Sequence, residues 1–187
     1  HQIAGKAVAA KLAATAEFKS LMKRVAEHAK TLGGALVEEG LTLAYGGTDT
    51  HLVLVDLKKL PSPTGVVLSG ETASRILDLV GLTCNKNTIQ GDTSAVHPTA
   101  VRFGTVWAAQ RGLGPAEMKQ VAKIAARVLK AIHPYNYLGG ASPIGRGKLD
   151  LDVLEGARRE VDALLARFPT ASHQPPATSS PLGYPYL

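Results

Sequence analysis

Polar residues crowd one stretch of this chain in a way that helix faces do not explain. Asn85-Lys86-Asn87-Thr88 leads to Gly91-Asp92, then His97-Pro98, then Arg102-Phe103-Gly104-Thr105. They cluster at the ends of short apolar runs, where binding residues commonly sit. Arg102 is the sharpest of them. It stands inside an apolar run, where a guanidinium is costly unless paired, and its planar fork matches a carboxylate bidentately. Two partners fit: the carboxylate of a ligand, or an Asp or Glu of the chain itself.

Other residues with chemical capacity have plainer readings beside them. His51 fits a packed or capping residue at a strand start better than a general base, because no partner for a base stands out. His97, beside Pro98, is a candidate for touching a ligand. The loop Gly139-Gly140-Ala141-Ser142-Pro143-Ile144-Gly145-Arg146-Gly147-Lys148 could cradle an anion with backbone N–H groups, but it follows no clear strand and matches no phosphate-loop pattern, so an exposed connector is the favoured reading. No His, Cys or carboxylate spacing supports a metal site. Cys84, the single cysteine, can form neither an internal disulfide nor a cysteine-rich metal site, and reads as an inert, half-buried thiol in a reducing compartment.

The elements that must position these residues follow from periodicity. Ile3 to Ala14 is rich in small residues and reads as a closely packed helix. Thr15 then caps a long amphipathic helix carrying Phe18, Met22, Val25, Ala29 and Leu32, which passes Gly33-Gly34 and stops at Gly40. Leu41 to Tyr45 and Leu52 to Leu57 are too short for helices and read as strands around Gly46-Gly47-Thr48-Asp49. Ser69 caps a helix ending at Gly81, after which Leu82 to Asn85 and Val101 to Gly104 are expected as strands. Pro115 opens a further helix, His133 to Lys148 is expected as a loop, and Asp150 or Asp152 caps a last helix with its stripe from Leu154 to Phe168. The Pro- and Ser-rich stretch after Pro169 cannot bury enough surface to offset its ordering entropy and is expected to be extended, or pinned only at Tyr184 and Tyr186.

Such a series describes an α/β layer, with helices over one face of a small sheet and the other face in need of a partner. At 187 residues and 45% apolar, one folded unit with a real core is expected, and no apolar run is long enough to span a bilayer, so a soluble, cytoplasmic protein follows. The net charge of +6 admits nucleic acid or anionic ligands as partners. Against a nucleic-acid module, Lys and Arg are scattered along helices and aromatics are only 5%, leaving few platforms for stacking bases.

Several multi-residue blocks, in order along the chain, carry a family resemblance. His1-Gln2-Ile3-Ala4-Gly5-Lys6-Ala7-Val8-Ala9, Gly46-Gly47-Thr48-Asp49-Thr50-His51-Leu52-Val53-Leu54-Val55-Asp56-Leu57, Leu79-Val80-Gly81-Leu82-Thr83-Cys84-Asn85-Lys86-Asn87-Thr88, and Gly91-Asp92-Thr93-Ser94-Ala95 leading to Arg102, Gly104-Thr105 and Arg111-Gly112 resemble serine hydroxymethyltransferase, from His1 to about Phe168. The resemblance implies the C-terminal portion of a fold-type-I pyridoxal-phosphate enzyme. Residues 1–40 would link to a large cofactor domain, 41–168 would form the small α/β domain, and 169–187 would be a tail. It implies that Arg102 holds the amino acid's carboxylate and that Asn87 is associated with folate, with His97 and Thr105 as further candidates for ligand contact. Pyridoxal 5'-phosphate is the implied cofactor, an electron sink for the carbanion left when a bond to Cα breaks; tetrahydrofolate is the implied one-carbon carrier, and a homodimer or higher oligomer the implied assembly.

The departures are as specific as the matches. The family's threonine-rich stretch ending in the cofactor lysine is absent from these residues, so pyridoxal phosphate is expected to be bound mainly by an N-terminal segment or subunit. With His at its first position, the sequence is expected to be a fragment, a processed chain or one half of a split enzyme. Gln90 stands where the family has proline, Thr50 where it has asparagine, and Val106-Trp107-Ala108-Ala109-Gln110 where it has a Pro-Ala segment. That last change abuts Arg102 and keeps two alternatives open: a folate-independent glycine-dependent aldolase, or a non-catalytic partner subunit.

Overall fold

The computed structural model describes residues 1–137 and 144–169. Two helices open the chain. Helix α1 (Gln2–Ala13) buries no residue, and α2 (Ala16–Glu38) starts where the Thr15 hydroxyl accepts from the Phe18 N–H at 3.2 Å. The chain leaves α2 through Gly40 at φ +76°, a conformation that glycine adopts without steric cost. Strand β1 (Leu52–Asp56) follows, then α3 (Gly70–Leu79), capped by the Ser69 hydroxyl accepting from Thr72 N–H at 3.1 Å. Strands β2 (Asn85–Asn87) and β3 (Ala100–Gly104) complete a three-stranded antiparallel sheet in the order β1-β3-β2. A short helix α4 (Val106–Gln110) leads to α5 (Pro115–Ala131), whose first turn is held by the Glu117 carboxylate accepting from Gly114 N–H at 2.9 Å. A two-stranded hairpin, β4 (His133–Tyr137) and β5 (Ile144–Lys148), precedes the last helix α6 (Leu151–Ala166).

The sheet has two unlike faces, because side chains alternate along a strand and directly opposed residues share a face. Val53, Val55, Val101 and Phe103 form the inner face, each 5% exposed or less. They join a core with Leu32 and Leu36 of α2, Ala73 and Leu77 of α3, Met118, Ala125 and Leu129 of α5, and Ala157 and Val161 of α6. Two glycines permit the closeness. A Cβ on Gly33 would stand 3.1 Å from Leu43 of the segment leading to β1, and one on Gly70 would stand 2.3 Å from the Ala100 carbonyl oxygen, so only glycine lets α3 begin against β3. The outer face carries Leu54 and Asn85 on either side of Arg102, with Asn87 opposite Ala100. A small second cluster lies there: Ala44, Ile89 and Ala100 with Leu54.

Three expectations about elements need correction. Leu41 to Tyr45 is not a strand. Leu43 makes a single bridge to Val55, after which the chain tightens into a 3-10 turn at Ala44–Gly46, with Tyr45 at φ +60°. Pairing in the stretch expected as Leu82 to Asn85 falls at Asn85–Asn87 instead: Leu82 and Cys84 pack on the core as the chain approaches, and the polar residues form the edge strand, since ladder bonds come from the backbone whatever the side chains. His133 to Lys148 is not all loop. Its Pro, Tyr and Gly residues alternate so that Pro134 is buried while His133 and Tyr137 are exposed, and Gly147 sits where a Cβ would be 2.6 Å from Ile132. Asp150 occupies the cap position of α6 without a side-chain capping bond. Residues 138–143, which include five of the ten residues of the glycine-rich stretch, and residues 170–187 with Tyr184 and Tyr186 lie outside the described residues.

Candidate active site on the outer sheet face

Arg102 rises from the centre of the outer face, half-buried, above the apolar floor of Leu54, Ala100, Ile89 and Ala44. Its Nη1 donates to Asn87 Oδ1 and its Nη2 to Asn85 Oδ1, each at 3.4 Å. None of the ion pairs among the described residues includes Arg102. The internal Arg–carboxylate pair that the sequence allowed is therefore not formed here. What stands on this face is a positive charge whose hydrogen-bonded neighbours are neutral; Asp56, opposite Ala100 on the same face, accepts from the Lys58 N–H at 3.0 Å and makes no ion pair with Arg102.

The loop from Thr88 to Thr99 borders the site and is locked by Asp92. Its side chain, 2% exposed, accepts from the N–H groups of Ile89 and Thr99 at 3.0 Å each and from the Thr99 hydroxyl at 2.5 Å, and pairs with Lys58 Nζ at 3.4 Å. Burial alone would raise its pKa, but the hydrogen bonds from Thr99 and Ile89 and the Lys58 charge outweigh burial and hold the carboxyl below its ordinary value. Gln90 is anchored twice more: its N–H donates to the Tyr45 hydroxyl at 3.2 Å, and its carbonyl accepts from Lys58 Nζ at 2.9 Å. The first of these contacts depends on residue 90 not being proline, which has no N–H to donate.

The other residues singled out in the sequence fall in different places. Asn87 Nδ2 donates to the Thr88 carbonyl at 2.7 Å, so both ends of its amide are engaged. His97 is exposed on the loop and its imidazole makes no hydrogen bond among the described residues; His51 is also exposed. Thr105 is buried, its hydroxyl donating to the Val25 carbonyl of α2 at 2.8 Å, so its side chain ties β3 to α2 rather than facing the outer surface. Asn85 and Asp92 stand in the polar stretch that the sequence marks but have no role assigned there, and Tyr45 has none. Asn85 had a signal, since it lies two residues before Asn87 and so shares its face; the other two depend on contacts between residues 7 to 45 positions apart.

Every lysine among the described residues is exposed, except Lys58, which is half-buried and tied to Asp92 and Gln90. Among the described residues, no group of three His, Cys, Asp or Glu lies together as metal ligands do, and no helix is long and apolar enough to cross a membrane.

The serine hydroxymethyltransferase family model matches residues 1–125. The chain is 39% identical over 170 residues to the serine hydroxymethyltransferase of Chlamydia muridarum, covering 90% of this chain and 33% of that protein. It is 47% identical over 122 residues to the mitochondrial enzyme of that name from Eremothecium gossypii (65% of this chain, 23% of the relative) and 43% identical over 130 residues to that of Bombyx mori (70% and 27%). The chain thus spans about a third or less of the length of these relatives. A mixed α/β layer with one covered and one open sheet face is the small-domain architecture of fold-type-I pyridoxal-phosphate enzymes, and the chain belongs to the serine hydroxymethyltransferase family.

Proposed function

We propose that this chain forms the small domain of a complete enzyme that interconverts serine and glycine, and that Arg102 holds the carboxylate of the amino acid. The observation that carries this is the half-buried guanidinium of Arg102, set among neutral acceptors with no acidic partner among the described residues. A charge placed that way invites an anion, and a carboxylate matches its fork. Arg102 then acts by orientation, fixing which bond to Cα faces the reacting group. In this reading residues 1–40 link to a large domain that carries pyridoxal phosphate and the cofactor lysine, residues 41–168 close over the site, and the complete protein is a cytoplasmic homodimer or higher oligomer. The exposed Ile3, Val8 and Phe18 on α1 and the start of α2 support such an attachment.

Tetrahydrofolate is the proposed one-carbon carrier, with Asn87 beside it. The second reading, a folate-independent aldolase acting on a β-hydroxy amino acid, draws on the engagement of both ends of the Asn87 amide, which leaves it less free for another ligand. Turnover of serine by the complete, cofactor-loaded protein, measured with and without tetrahydrofolate, separates the two. Strong dependence on tetrahydrofolate is the expected result; equal rates favour the aldolase, and no turnover of any β-hydroxy amino acid refutes both.

A further inference from the structure

We propose that Asn85 is a positioning residue for Arg102: a neutral acceptor that fixes the guanidinium without cancelling its charge. This rests on the reading of Arg102 as the carboxylate clamp. Asn85 lies directly across the ladder from Arg102, and Asn87, two residues on, shares its face. Their amide oxygens take one hydrogen bond from each terminal nitrogen of the guanidinium. A guanidinium has five N–H donors and no acceptor, so any side chain that orients it by hydrogen bonding must offer oxygen. About three donors remain for a ligand.

The choice of oxygen decides the outcome. A carboxylate at position 85 would meet Arg102 as an internal ion pair, with which an incoming carboxylate would have to compete. An amide dipole orients the fork through long, weak bonds and leaves its full charge available. The surroundings keep the same discipline. Glu71, the acid that reaches β2, is held by Lys86 Nζ and Arg75 Nε at 2.5 Å each, and Lys86 faces away from Asn85 and Asn87 because side chains alternate along the strand. Glu71 is thus occupied on the side away from Arg102.

The test uses the complete protein loaded with pyridoxal phosphate, with glycine affinity read by calorimetry, serine KM and kcat by turnover, and folding by thermal melting. Asn85→Asp changes the side chain's shape little and adds one charge; it is expected to weaken glycine binding about ten- to a hundred-fold, raising KM while kcat holds and without lowering the melting temperature. Asn85→Ala removes the contact without adding charge and is expected to cost less, about two- to five-fold. Equal effects of Asp and Ala, or an Asn85→Asp protein that binds glycine like the parent while Arg102→Lys binds it weakly, overturn the role of Asn85 alone. Arg102→Lys without effect overturns the clamp, and the role of Asn85 with it. Should Asn85→Asp not fold, Asn85→Ser keeps a neutral oxygen acceptor and is expected to bind glycine more tightly than Asn85→Ala, while equal affinity of the two overturns the role of Asn85.

Discussion

Replacing Asp92 by alanine removes one buried carboxylate and releases a whole loop. In the structure that carboxylate accepts two backbone N–H groups, from Ile89 and Thr99, takes the Thr99 hydroxyl, and meets Lys58. Alanine orphans the two N–H groups. A fully buried orphan costs about 1–3 kcal/mol; Ile89 is buried and Thr99 half-buried, so a sum of about 2–4 kcal/mol is expected. For a chain of this size that lowers Tm by about 5–12 °C. Asparagine keeps an oxygen for both N–H groups but puts its NH2 where Oδ1 takes the Thr99 hydroxyl and meets Lys58 Nζ, so Asp92→Asn is expected to cost about 1–1.5 kcal/mol, or about 2–6 °C. Far-UV circular dichroism melts of the 187-residue chain at pH 7 give both values. The sign with pH follows from the depressed pKa of Asp92: the unfolded state takes up the proton more readily, so the contribution is fully present above about pH 3.9 and is lost as pH falls below that, through the folded value. An Asp92→Ala protein that melts within a degree of the parent, or ranks above Asp92→Asn, refutes the lock.

Gly70→Ala places a Cβ 2.3 Å from the Ala100 carbonyl oxygen, which must push α3 from β3 and strain the Gly70 N–H to Pro98 carbonyl bond at 2.7 Å; a loss of about 1–3 kcal/mol in urea unfolding is expected. His28 is buried on α2 with an Nδ1 that has no partner among the described residues, and burial first, then Arg24, depresses its pKa against the opposing pull of Glu27 and Glu117. The unfolded state therefore binds that proton first, so stability is full above about pH 6.5 and declines below it, and His28→Leu should flatten the urea midpoint between pH 7 and pH 5. Burial, with Asp78 adding, pushes the Cys84 thiol up to about 12, so at pH 8 a disulfide reagent should label folded protein at least about ten-fold more slowly than unfolded protein.

The helices were legible because their signals are local. Thr15, Ser69 and Pro115 sit at the helix starts their chemistry predicts, and the apolar spacing that follows each names its buried face. Arg102 was legible because a guanidinium inside an apolar run demands a partner, although which partner required the other strands to be placed. The hairpin β4–β5 was not legible: Pro134, Gly145 and Gly147 are turn residues by composition, yet here they lie where the ribbon packs closely on Thr72, Ser69 and Ile132. Leu41–Tyr45 misled for the opposite reason, an apolar run whose last residue must turn left-handed before Gly46-Gly47. Neither the bond from Gln90 to Tyr45 nor the meeting of Lys58, Asp92 and Thr99 has any local signature, since each joins segments that only the closed sheet brings together.

Arg102→Lys in the complete, cofactor-loaded protein tests most directly whether the outer sheet face binds the amino acid. Lysine keeps the charge and loses the bidentate fork, and no acid among the described residues pairs with Arg102, so glycine affinity should fall about ten- to a hundred-fold while Tm stays with the parent. A folded Arg102→Lys protein that binds glycine with unaltered affinity, above all one with a lowered Tm, would contradict the assignment and leave Arg102 a structural residue.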